Sequence, residues 1–316
     1  VTRRQDPLAI DADLPLQGTF HPVGCLLHIA TNSEDVLEAA GESWSHYETQ
    51  IYPCDPVYFR VMVQEHGELC GETSHRAQGG LYSVVSDRDN FASLDLASLR
   101  ASIFVSRATA QDHARLRWFF LESLAYMLLA QRSVVPVHAG CVARAGRGIL
   151  LCGPTQSGKS TLAYACARAD WSYVSDDAVF LLPDDERRTV IGRHRHFRFR
   201  VDAPGLFPEL DSFLSHERPN GKVSIEIPLE KLPAISAVRS AEAAAAVVLT
   251  RGADPAIEAI CAADLIDGLL RDMPSYGPEV NAMHERSVAR LAGIPMFRLR
   301  YRAPEDAIQL LDRVLQ

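Results

Sequence analysis

The residues best suited to chemistry lie mid-chain, in Gly153-Pro-Thr-Gln-Ser-Gly158-Lys159-Ser160-Thr161. This stretch matches GxxxxGK[ST], the phosphate-binding (Walker A) pattern, at every fixed position. Gly153, Pro154, Thr155, Gln156, Ser157, Gly158, Lys159, Ser160 and Thr161 are therefore candidate nucleotide contacts. The glycines let the backbone curl until its N–H groups point inward at phosphate oxygens. A following helix adds positive potential at its N-terminus. Lys159 can place a charge on the β and γ phosphates, and the Ser160 hydroxyl can bind Mg²⁺.

A second group of reactive residues follows. Trp171-Ser-Tyr-Val-Ser ends in the pair Asp176-Asp177. Phosphoryl transfer to a hydroxyl suits two carboxylates, one near a metal and one accepting the proton of the attacking hydroxyl. Which aspartate has which role is open. Adjacent side chains on a regular strand face opposite ways, so both serve one site only if the strand ends or bends there.

These residues need elements to hold them. Ile149 to Cys152 reads as a strand running into the loop, Thr161 to Ala169 as a helix running out, and Trp171 to Val174 as a strand. Upstream, Val134 to Val142 reads as one strand. The segment Ala143 to Gly148 between it and Ile149 is too short for a parallel crossover, so the two strands should form an antiparallel hairpin. His138 falls on the first of them, near the expected phosphates.

Val137-His138-Ala-Gly-Cys141, the hairpin, Gly153 to Ser160, and Val174-Ser-Asp176-Asp177 together resemble the HPr kinase/phosphorylase family. The resemblance is strongest over residues 134–182. It implies an α/β fold: a mixed-sheet P-loop kinase core, similar to phosphoenolpyruvate carboxykinase, behind a small β-rich α+β domain. It implies ATP and Mg²⁺ as cofactors and transfer of the γ-phosphoryl to a serine hydroxyl. It implies that His138 helps set the charge state of the acidic site, and that Asp176 and Asp177 are the catalytic and metal-associated pair beside Lys159 and Ser160. The wider family includes tailoring kinases of ribosomally made peptides such as lasso peptides. The family's later Arg-Gly-Leu-Gly-Ile-type segment has no clear copy; the corresponding stretch runs from Phe197 to Phe207 without it. HPr itself is therefore not the expected substrate. HPr kinases assemble as oligomers, and assembly of this chain is left open.

Arg193-His-Arg-His-Phe-Arg-Phe-Arg200 is a basic run in an acidic chain. Phe197, Phe199 and Val201 alternate with Arg198 and Arg200 at strand spacing. Those two guanidiniums are candidate ligands for phosphate or an acidic substrate, or else a solvated strand face. Lys222, after Asn220-Gly221, reads as a turn lysine.

The remaining chain sets the frame. Its 316 residues suggest two domains. Residues 1–20 read as a flexible lead-in, 21–108 as a β-rich N-terminal domain and 109–316 as the kinase domain. In the first, Pro22 to Ala30, Val57 to Val63, Leu81 to Val85 and Ile103 to Val105 read as strands, with a short helix capped at Asn32 to Asp35 and stopped at Gly41. From Thr109 a helical stripe follows through Leu116, Phe120, Leu124 and Met127. Further on, Val223 to Ile227, Ala245 to Thr250 and Phe297 to Tyr301 read as strands. Ala262 to Asp272, Val288 to Ala292 and a segment opened by Pro304 read as helices.

The net charge of −8 argues against nucleic acid as a partner. No apolar run approaches a bilayer span: Glu122 and Ser123 break the most apolar stretch, Trp118 to Ala130. The seven scattered cysteines form no CxxC pair and read as reduced, cytoplasmic thiols. The expected partner is a peptide or protein with a hydroxyl side chain. The alternatives are a small hydroxylated metabolite, such as a free amino acid, and a nucleotide-gated regulatory protein. Leu-Ser-Gly-Gly and Asn-Lys-x-Asp motifs are absent, which disfavours transport ATPases and GTPases.

Overall fold

The computed structural model describes residues 13–315, so most of the expected lead-in lies outside it. The fold is mixed α/β with several mixed sheets. The chain divides into two compact units, Val1–Arg132 and Ser133–Gln316.

The first unit holds β1 (Leu16–Phe20), β2 (Leu27–Thr31), α1 (Glu34–Trp44), β3 (Val57–Gln64), β4 (Ser74–Gln78), β5 (Leu81–Val85), β6 (Phe91–Asp95) and β7 (Arg100–Ser106). Its sheet runs β1-β2-β3-β7-β6-β5-β4, parallel across β2-β3-β7 and antiparallel elsewhere. Val57, Phe59 and Val61 are buried at the expected period of two. The expected lead-in contributes β1, and the expected strand at Pro22 begins only at Leu27, behind a single turn over Pro22–Gly24.

Helix α1 passes through Gly41 instead of stopping there. A mid-helix glycine costs about 1 kcal/mol, less than the burial of Trp44, which is 1% exposed. Strand β4 is exposed along its length, and this is why it carries no apolar signal. Cys25 and Cys54 form a disulfide with Cα atoms 6.1 Å apart, which corrects the reading of all seven thiols as reduced. Cys70, Cys141, Cys152 and Cys166 are free and buried; Cys261 is free and exposed.

Three helices follow: α2 (Arg107–Gln111), α3 (His113–Leu116) and α4 (Ser123–Leu129), with a wide π-type turn at Arg117–Glu122. They belong to the first unit, not the second, so the boundary falls after Arg132 and not at 108. Bonds to α1 explain it: Ser43 Oγ donates to Glu122 Oε1 at 2.9 Å, and Glu42 pairs with His113 at 2.7 Å and Arg117 at 2.8 Å.

The second unit begins with β8 (Val135–Val137), β9 (Gly140–Arg144), β10 (Arg147–Cys152), α5 (Lys159–Arg168), β11 (Ser172–Ser175), β12 (Val179–Leu181) and β13 (Thr189–Gly192). Next come β14 (His196–Phe199), β15 (His216–Glu217), β16 (Val223–Pro228), β17 (Ser240–Arg251), β18 (Ala256–Ala259), α6 (Ala262–Arg271), α7 (Pro278–Ala289), β19 (Met296–Tyr301) and α8 (Pro304–Val314). The helix expected at Val288 begins at Pro278, and most of it precedes the apolar residues that signalled it.

β9 and β10 form the expected antiparallel hairpin. β10 runs parallel to β17, and the C-terminal half of β17 runs parallel to β19. Successive residues of β10 face opposite sides. Ile149 and Leu151 pack in the cluster containing α5 and α8; Leu150 and Cys152 pack with residues of α6 and α7. Tyr164 on α5 meets Phe197, Phe199 and Phe207 edge-on, with ring centres 4.9–5.2 Å apart, and so fixes β14 against that helix.

Candidate active site

One bent ladder brings the candidate residues together. Val137 of β8 pairs with Val179 of β12, and Cys141 of β9 pairs with Ser175 of β11. These two antiparallel pairs flank a break, and past Ser175 the register of β11 on β9 slips by one residue at Val174. The expected single strand from Val134 to Val142 is therefore split, with His138 and Ala139 in the gap; the Ala139 N–H donates to the Val137 carbonyl at 3.0 Å, a three-residue turn. Opposite, Asp176, Asp177 and Ala178 occupy the matching gap between β11 and β12. The bend answers the alternation problem: neither aspartate is held to a strand face. Gly140 permits the close approach, since a Cβ there would lie 3.2 Å from the Asp176 carbonyl oxygen.

The glycine-rich loop leaves β10 at Gly153 and enters α5 at Lys159. Gly153 and Gly158 have φ of +139° and +100°, which favour glycine. The Lys159 ammonium is drawn into the loop: Nζ donates to the carbonyls of Gly153 (2.8 Å) and Pro154 (3.2 Å) and lies 3.2 Å from His138 Nε2. Burial holds the Lys159 pKa below the usual ammonium range, while the charges of Asp177, Asp272 and Asp176 oppose that shift. His138 Nδ1 faces Asp177 Oδ1 at 3.5 Å. Lysine, histidine and aspartate thus line up across the bend.

The two aspartates differ. Asp176 is 4% exposed, and burial pushes its carboxyl above the ordinary range despite two donors. The Tyr173 hydroxyl donates to Oδ1 at 3.2 Å and the Arg198 backbone N–H to Oδ2 at 2.9 Å. The Asp177 side chain is 54% exposed. Carboxylate and hydroxyl oxygens, the groups that Asp176, Asp177 and Ser160 carry, are the ligand types magnesium takes.

The basic strand is placed differently from expectation. The guanidinium of Arg198 pairs with Glu226 on neighbouring β16 at 2.9 Å; its backbone N–H bonds Asp176, and its charge also favours that carboxylate. Arg200 lies past the end of β14, paired with Asp202 at 3.6 Å. Lys222 sits in an exposed turn.

Arg218, which no motif signals, feels Asp177 and Asp176 as well as Glu226. Arg251 and Tyr301 were also illegible: they are cross-strand partners at the ends of β17 and β19, with the guanidinium 4.5 Å from the ring centre. A Cβ on Gly158 would lie 2.7 Å from both Arg251 Nη2 and the Tyr301 hydroxyl oxygen. The carboxyl ends of parallel strands are where ligands gather in α/β sheets.

A cavity of about 780 Å³ borders the loop. His138, Cys152 and Gly153 to Thr155 form one wall; Val248 and the α6 residues Asp264, Leu265, Gly268, Leu269 and Arg271, with Asp272 just beyond, form the other. Burial pushes the Cys152 thiol up to about 12, so it is a neutral wall residue. No helix of the described residues is long and apolar enough to cross a membrane.

No protein-family model matches the sequence, and no curated protein matches it. Among solved structures the chain is similar to the Hpr(Ser) kinase/phosphatase from Coxiella burnetii, at 14% sequence identity over 57% of this chain and 93% of that one, with a TM-score of 0.30. A likeness of that size carries no inference about this chain's activity.

Proposed function

We propose that the second unit is a phosphotransferase that takes the γ-phosphoryl group of ATP and passes it to a hydroxyl, with a serine of a peptide or protein as the leading acceptor. The alignment of Lys159, His138 and Asp177 carries this reading. It joins the cation suited to β and γ phosphates to a carboxylate able to accept a proton, through a ring that holds both.

In this reading the loop from Gly153 to Thr161 wraps the phosphates, with the first N–H groups of α5 and the Lys159 ammonium neutralising charge. Ser160 and the aspartate pair would hold magnesium. When bound, that ion supplies charge neutralisation on the transferring phosphoryl. Asp177, the exposed carboxylate, takes the proton of the attacking hydroxyl. Asp176 accepts one hydrogen bond at each oxygen, from Tyr173 and the Arg198 N–H, which leaves lone pairs for the ion and holds its neighbour in position. The catalytic work is alignment and charge stabilisation. The resemblance seen in the sequence agrees with these roles. A second reading, a small hydroxylated metabolite as acceptor, is favoured by the cavity beside the loop.

The test is transfer from γ-labelled ATP with Mg²⁺ in an extract of the source organism, comparing the protein with Lys159→Ala and Asp177→Asn. Label in a peptide or protein band, lost in both variants while Asp177→Asn still binds ATP, is expected. Label in a small compound would promote the second reading. Label only in free phosphate would overturn the kinase reading in favour of a nucleotide-gated protein.

A further inference from the structure

The cavity has a chemistry of its own. It opens on the end of the loop where Lys159 is held, because His138, Gly153 and Pro154 belong to both. That end is where the pattern places the β and γ phosphates. A compound in the cavity would therefore meet the terminal phosphoryl and not the base.

The far wall is α6. Asp264, Gly268 and Arg271 lie three to four residues apart and share one face. Glycine is among the poorest helix formers, yet Gly268 sits inside this helix. No turn or positive φ requires it. A Cβ there would meet only the Arg271 guanidinium, at 3.9 Å. Gly268 thus keeps the cavity open where any larger side chain would project into it. Val248, Leu265 and Leu269 give an apolar floor. Asp264 and Asp272 stand around it with Arg271, and beside His138 the Lys159 ammonium and the Asp177 carboxylate add one charge of each sign, so carboxylates exceed cations by one.

We infer that this cavity is the acceptor site, and that it takes a hydroxyl compound carrying an ammonium or guanidinium group close to the reacting oxygen. The hydroxyl faces His138 and the loop, the carbon skeleton lies on Leu265 and Leu269, and the cation pairs with Asp272, the wall carboxylate whose charge also reaches Lys159. The inference rests on the phosphotransferase reading for what happens to the hydroxyl, but not for binding. Two sources share this chemistry: a free amino alcohol or amino acid, and a serine next to a basic residue in a peptide.

The experiment separates binding from transfer. Protein loaded with a non-hydrolysable ATP analogue and Mg²⁺ is titrated with serinamide, with its uncharged counterpart 3-hydroxypropanamide, and with a short Lys-Ser peptide. The shift in Tm is followed, since a ligand of the folded state raises it. Serinamide or the peptide should raise Tm and 3-hydroxypropanamide should not; which of the two cations is stronger identifies the source. Gly268→Leu should weaken the effect at least about tenfold, and Asp272→Asn by a similar factor, with affinity for the ATP analogue unchanged. No shift with either cation, an equal shift with 3-hydroxypropanamide, or an undiminished shift in Gly268→Leu overturns the acceptor assignment. Loss of ATP-analogue affinity in Gly268→Leu overturns it too, and makes the cavity a nucleotide subsite. Gly268→Ala controls for folding, because it should raise Tm in the absence of any ligand. Label transfer from ATP to the bound probe is read separately. Binding without transfer would sink the phosphotransferase reading and leave the cation site standing.

Discussion

Lys159 and His138 fix each other's hydrogen-bonding roles. Their nitrogens lie 3.2 Å apart, and an ammonium can only donate, so Nε2 of the ring accepts. The ring proton then sits on Nδ1, the atom facing Asp177 at 3.5 Å. One contact sets the tautomer and directs a proton at the exposed carboxylate.

Removing the ring should therefore disturb transfer more than nucleotide affinity. His138→Ala is expected to lower kcat by about 10²-fold, the lower range for a positioned acid–base group, with ATP affinity changed far less. His138→Gln retains a side-chain amide that can accept from Lys159 and should recover part of the loss. Steady-state kinetics beside ATP binding by calorimetry make the check. An equal loss in both variants would confine the ring to packing.

Asp176 gives a pH signature with a definite sign. Its folded pKa is raised by burial. Between the unfolded value, about 3.9, and the higher folded one, the folded state holds the extra proton. Stability from this group is therefore fullest below the unfolded pKa and declines as pH rises through the window. Asp176→Asn cannot ionise and keeps an oxygen for the Arg198 N–H. Its Tm relative to the parent should improve as pH rises from 4 to 7, measured by thermal melts across that range. A difference that stays flat with pH would mean the carboxyl is not perturbed.

Gly192 tests the bent ladder. A Cβ there would stand 1.9 Å from the Val174 carbonyl oxygen, on backbone that leads directly to the aspartates. Backbone cannot swing aside as a side-chain tip can, so Gly192→Ala should destabilise by at least about 2 kcal/mol. Urea unfolding measures it. The variant should also lose transfer at temperatures where it remains folded, because the aspartates move with Val174.

The first unit should respond to reductant. The Cys25–Cys54 bond closes a loop with a sequence separation of 29. Chain-entropy reasoning assigns such a loop about 3.6 kcal/mol. Cys54→Ser, or thiol reductant on the parent, should lower the unfolding midpoint of this unit, with no further loss when the two are combined.

What could be read from sequence was local. The glycine-rich loop, its flanking strand and helix, the hairpin and the Asp-Asp pair all lie within one short stretch whose pattern fixes their geometry. Val134 to Val142 misled because its apolar residues continue through the bend; the break appears only when β12 and β11 pair with its two halves. The partners of Asp176 were hidden for a similar reason, since Arg198 reaches it through a backbone N–H that carries no residue code. Its guanidinium, the part the sequence advertised, goes to Glu226. Arg251, Tyr301 and the cavity wall of α6 come from segments that approach the loop only through the parallel pairing of β10, β17 and β19. Gly41 and the helices after Ser106 were misplaced where tertiary packing overrides local propensity.

The placement of the thiols has a practical consequence. Among the described residues, Cys261 alone is both free and exposed, and it is the N-cap immediately before α6. Burial keeps Cys141, Cys152 and Cys166 protonated and out of reach of a maleimide. A fluorophore added to the unaltered protein therefore attaches at a single point, the N-cap of the helix whose residues wall the cavity. Its emission becomes an optical readout of occupancy, with no residue of the cavity or the loop replaced.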